Sequence, residues 1–93
     1  MRILGYLERP GLKITVFKMD MRLSIKFENG ALEQTYKFRV SEHLNTLAAI
    51  NELVDEAFLQ SVQERFVLMQ RDFGTALEKR IPPRGEEALP QII

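Results

Sequence analysis

Arg22, Lys37 and Arg39, with Tyr6 and Phe17, are the residues whose types and spacing suit a definite chemistry, the holding of an anion. Three cations that strand alternation puts on one surface repel one another, and an anion between them relieves that repulsion. Two aromatic rings on the same surface offer faces on which bases stack, as sheets that hold single-stranded nucleic acid do. Other constellations are thinner. His43 is the only histidine and there is no cysteine, so neither a His/Cys metal set nor thiolate chemistry is available. A lone loop histidine is ordinarily a solvated side chain. Glu52, Asp55 and Glu56 cluster in sequence, which is ordinarily a solvated helix face. Ser41 and Ser61 have no histidine base at local or helical spacing, and no glycine-rich phosphate loop occurs. The expectation is therefore not an enzyme, with no cofactor and no metal.

The elements that must position these side chains can be read from periodicity. Apolar residues alternate from Phe17 to Glu28, a strand period too long for one ordinary strand. A two-residue turn at Asp20-Met21 sets Met19 opposite Arg22, Val16 opposite Ile25 and Ile14 opposite Phe27. Asn29-Gly30 is a preferred type I′ pair. Taken as the two central residues, it predicts Phe27 opposite Leu32, Lys26 opposite Glu33, Leu23 opposite Tyr36 and Arg22 opposite Lys37, with Arg39 nearby. Pro10-Gly11 makes the remaining turn and aligns Leu7 with Ile14.

Directly opposed residues share a face. One face, the expected core, then carries Ile3, Leu7, Ile14, Val16, Leu23, Ile25, Phe27, Leu32, Tyr36 and Phe38, with Gln34 as a polar exception. The other carries Leu4, Tyr6, Thr15, Phe17, Met19, Arg22, Ser24, Lys26, Thr35, Lys37 and Arg39, with Glu8, Lys13, Glu28 and Glu33. In this register Lys13 meets Glu8 and Glu28, and Lys26 meets Glu33. Those pairs dilute the positive charge, and a pI of 6.6 is not a basic footprint.

Thr46 to Arg80 holds no proline and one glycine, Gly74, and its apolar residues recur at helical spacing. As one helix it would run ~50 Å at ~1.5 Å per residue, longer than a four-stranded meander can cover. The apolar residues up to Val54 point about 100° away from Leu59, Val62, Phe66, Met69 and Phe73 on a helical wheel. Either the helix breaks near Asp55, which then caps a second helix, or one rod faces two surfaces. The absence of a glycine or proline there favours the continuous or gently bent rod. Either way the second half needs another apolar surface, and a second copy is the simplest supply. Val62, Phe66, Val67, Leu68, Met69 and Phe73 are the expected dimer interface.

Pro82-Pro83 ends the helix, and the remainder to Ile93 reads as an extended or disordered tail, in which Leu89, Ile92 and Ile93 could dock on a neighbour's sheet edge. The domain organisation is thus residues 1–81 as one unit and 82–93 as a tail. No apolar run approaches the ~20 residues of a membrane span, and the chain reads as cytoplasmic. The 93 residues hold 13 bases and 13 acids. Residues 1–40 carry a surplus of four positive charges, and the helical remainder the matching negative surplus.

The expected fold class is α+β, a four-stranded antiparallel β-meander followed by one long C-terminal helix, continuous or kinked, assembled as a homodimer. In element order, Ile3 to Arg80 resembles the Whirly-type and transcription-coactivator-type single-strand-binding domains. The resemblance implies helices associating about a twofold and a sheet that binds nucleic acid, and it assigns no residue a role. The partners to expect are a second copy of the chain and, as the alternative function, single-stranded nucleic acid. The primary expectation is a non-enzymatic, self-associating interaction or scaffolding module.

Overall fold

The computed structural model describes residues 1–80; the expected tail lies outside the described residues. Four strands, β1 (Arg2–Arg9), β2 (Leu12–Met19), β3 (Arg22–Asn29) and β4 (Leu32–Arg39), form one open antiparallel sheet in sequence order. Two helices follow, α1 (Leu47–Leu53) and α2 (Glu56–Arg80). No helix among the described residues is long and apolar enough to cross a membrane.

The three turns make the meander. Pro10-Gly11 supplies a fixed φ and then a positive one, +75° at Gly11, the order of a type II turn. Asp20 takes φ +55° and closes the second hairpin with Met19 opposite Arg22, as expected. The third differs from expectation. Gly30 (φ +63°) is the first central residue and Ala31 the second, so Asn29 stays in β3 opposite Leu32. A single leading positive φ is the type II′ pattern, whereas I′ needs two. Moving the turn by one residue slides β4 by two. Every side chain keeps its face but changes its partner: Phe27 meets Gln34, Lys26 meets Thr35, Ser24 meets Lys37 and Arg22 meets Arg39.

β1 carries a second correction. Its register shifts between Ile3 and Gly5, so Ile3 pairs with Phe17 while Gly5 pairs with Val16. One extra residue inverts the alternation. Ile3 therefore leaves the expected core face and is 49% exposed, while Leu4 packs against the core instead. Gly5 lets α1 approach, because a Cβ there would stand 2.7 Å from a Leu47 methyl.

Leu7, Ile14, Val16, Leu23, Ile25 and Phe27 from the sheet are buried with Ile50, Val54, Val62 and Phe66 from the helical half. Each such side chain contributes about 1.5–3 kcal/mol by leaving water. Phe27, Tyr36 and Phe58 stack edge-on or tilted, with centroids 5.2–5.8 Å apart. Gln34, the polar residue on this face, is satisfied twice. Its Nε2 donates to the Val62 carbonyl at 2.9 Å, and its Oε1 accepts from the Tyr36 hydroxyl at 3.0 Å.

The helical half is not the continuous rod the absence of glycine and proline favours. It breaks at Val54-Asp55. Val54 (φ −84°, ψ 71°) is the centre of an inverse γ-turn closed by the Asp55 N–H on the Leu53 carbonyl at 2.9 Å. Asp55 Oδ1 then accepts from the Phe58 N–H at 2.9 Å and caps α2, as the Thr46 hydroxyl caps α1 at the Ala49 N–H. The break absorbs the offset between the two apolar stripes, so both helices face the same sheet. Arg9 fastens the junction to β1. Its guanidinium donates to the Asn51 side chain at 3.0 Å and to the Val54 carbonyl at 3.1 Å, a cation at a helix C-terminus.

Candidate functional site

The outer face of the sheet is built by the corrected register. Arg22 and Arg39 stand directly opposite each other, not Arg22 and Lys37. Lys37 lies one pair further in, opposite Ser24, and Lys26 follows, opposite Thr35. Glu33, expected to neutralise Lys26, lies opposite Glu28 instead. The face is therefore polarised along its strands. One end gathers Arg22, Arg39, Lys37 and Lys26, and the other gathers Glu8, Glu28 and Glu33 around Lys13. Like charges directly across strands are each unfavourable by roughly 0.2–1 kcal/mol.

At the cationic end the face dips into an open basin of about 700 Å³. Phe17, Ser24, Lys26, Thr35, Lys37, Arg22 and Arg39 line it, with Asp20 and the three methionines Met1, Met19 and Met21 at its rim. Lys26 Nζ sits 5.4 Å from the Phe17 ring centroid, a cation–π contact. Among the described residues the only ion pair is Glu42–His43 at 3.8 Å, both side chains exposed. The four basin cations thus have no carboxylate within ion-pair distance there. Two guanidinium forks, two ammonium groups and two hydroxyls around a half-buried ring suit a phosphate group with an aromatic or apolar body.

Of the expected anion-binding residues, Phe17, Arg22, Lys37 and Arg39 meet in this basin. Tyr6 shares the face but pairs with Thr15 and lies outside it. Ser24, Lys26 and Thr35, also expected on this face, line the basin too; the two-residue slide of β4 takes Glu33 away from Lys26 and so leaves that charge to the basin. Of the acidic cluster, Asp55 has a structural task, the α2 cap.

A second surface lies on α2. Phe58 packs on Phe27 and Tyr36, and the Val62 carbonyl meets Gln34. Arg65, Leu68, Met69 and Asp72 then share an open groove of about 430 Å³ with Gln34, Thr35 and Tyr36. With α1 on β1, the helical half runs across the strands and α2 passes over β4, the last of them. Of the expected interface residues, Val62 (0% exposed) and Phe66 (2%) are already covered by the chain's own sheet and have no surface to offer another molecule. Val67 and Leu68 are exposed by half or more, Phe73 and Leu77 nearly so, and Met69 is partly covered. The molecule is drawn out to 58 × 28 × 19 Å, with a radius of gyration of 17.5 Å against ~13 Å for a compact chain of this size.

Comparison with known proteins finds no family model that matches the chain, no matching curated protein and no matching solved structure.

Proposed function

We propose that the protein acts by binding rather than catalysis, as a self-associating interaction module whose copies join through the uncovered half of α2. One observation carries this. Val62, Phe66, Phe73 and Leu77 lie on a single helical stripe, yet the first two are buried and the last two are 49% and 43% exposed. A stripe that is core for half its length is chemically core for the rest, and a second copy brings the same apolar chemistry. The chain's formal net charge of zero puts no net repulsion between copies. Sedimentation over a range of concentrations tests it. The wild type should dimerise or assemble further, and Phe73→Asp should sediment as a folded monomer. A wild-type chain that stays single at high concentration overturns the reading.

The alternative, single-stranded nucleic acid on the outer face, is favoured by the Arg22–Arg39 pair and by Lys26 and Lys37, which have no ion pair among the described residues, with Lys26 over Phe17. Oligonucleotide affinity should then fall steeply with salt, and Arg39→Ala should flatten the log–log slope by about 0.7 for each phosphate that is no longer neutralised. Absence of binding at low salt removes this alternative.

A further inference from the structure

The groove between β4 and α2 shows how two copies would fit, an inference that rests on the self-association just proposed. β4 is an edge strand of eight residues, with no proline and, among the described residues, no neighbour on its far side. The two-residue turn makes Asn29 and Leu32 a hydrogen-bonded pair. By alternation Leu32, Gln34, Tyr36 and Phe38 spend their backbone groups on β3. Glu33, Thr35, Lys37 and Arg39 direct theirs at the open edge. Such an edge is a template for another strand.

We propose that β4 pairs antiparallel with β4 of a second copy about a twofold at Thr35, making one continuous eight-stranded sheet from two four-stranded ones. Three features of the β4 edge and the groove beside it complement themselves under that operation. On the outer face Glu33 falls opposite Lys37 of the partner subunit, and Lys37 opposite the partner's Glu33. On the core face Leu32 falls opposite the partner's Phe38. Above the seam, an antiparallel twofold beside Leu68 sets Arg65 against the partner's Asp72 and Asp72 against the partner's Arg65. Arg65, Leu68 and Asp72 all line the groove beside Gln34, Thr35 and Tyr36, so strand and helix are matched by one symmetry.

Length agrees with this. An eight-residue strand runs ~26 Å, which seats two helices side by side at 8–10 Å. From Met69 to Arg80, α2 extends ~16 Å. Neighbouring strands lie ~4.8 Å apart, so this length carries Phe73 and Leu77 over the partner's sheet.

The test reads the dimer dissociation constant of the full chain by sedimentation. Glu33→Lys and Lys37→Glu should each raise it about tenfold, because two symmetric pairs turn repulsive. The double exchange Glu33→Lys/Lys37→Glu should return it to the wild-type value. Thr35→Pro should give a folded monomer, since it removes an N–H that points away from β3. Should Thr35→Pro lose the folded circular dichroism, the charge exchange decides. A wild-type monomer overturns both readings. A dimer that Phe73→Asp abolishes, but that both single charge variants leave unchanged, overturns the strand pairing alone and leaves the helix contact standing.

Discussion

Phe66 and Phe73 sit two turns apart on one stripe of one helix and live in different surroundings. Phe66 is 2% exposed over the sheet, and Phe73 is 49% exposed past it. The residues are chemically identical, and only the extent of the sheet beneath them differs. A helical pattern therefore states what a face wants to touch, not whether the chain has supplied it. Four strands at ~4.8 Å spacing give a platform less than 20 Å wide, and a 25-residue helix crossing it measures ~37 Å.

The sharpest way to break that contrast is to truncate both rings. Phe66→Ala should cost about 3–5 kcal/mol of monomer stability. Phe73→Ala, read at a concentration where the chain is single, should cost under ~0.5 kcal/mol. Equal losses in denaturant melts would mean the second ring is covered within its own chain. Next in size is the clamp that aims α2. Arg9→Ala frees the Val54 carbonyl and the Asn51 side chain and should destabilise by about 1–2 kcal/mol at any protein concentration. Asp55→Ala removes the α2 cap and should cost about 1 kcal/mol. Because the cap also fixes the break, this variant should weaken association as well, which sedimentation can detect. The smallest expected effect lies on the outer face. Arg39→Leu removes one of two opposed guanidinium groups and should stabilise the monomer by a few tenths of a kcal/mol at low salt, a gain that vanishes as salt rises.

The two ends of the outer face repeat the lesson in charge. Arg22 against Arg39 and Glu28 against Glu33 are both like pairs. The meander accepts them at the edge, where water screens them. Strand pairing about Thr35 would engage Glu33 and Lys37 and leave Arg22, Arg39 and Lys26 for an anion. Oligonucleotide affinity measured above and below the dimer dissociation constant would show whether the two surfaces work together.

Much of this was legible in the chain. Alternation from Phe17 to Glu28, Pro10-Gly11 and the glycine at position 30 gave four strands and the face of nearly every strand residue, since parity survives a two-residue slip. Gln34 stood out as polar on the core face, and the structure explains it with two hydrogen bonds. The partners of Arg22, Lys26, Lys37 and Arg39 across β3 and β4 were not legible, whereas those of Lys13 were. The former depend on whether the positive φ falls at Asn29 or only at Gly30, and the same dipeptide serves either turn.

The sequence alone determined period, parity and the apolar demand of the helical half, because each depends on residues a few positions apart. Tertiary structure decided the rest: the extra residue in β1 that exchanged Ile3 for Leu4, the γ-turn at Val54 that aimed both helices at one sheet, and the point where α2 runs out of platform. Those outcomes are set by distant surfaces fitting together, which no local pattern of residues encodes.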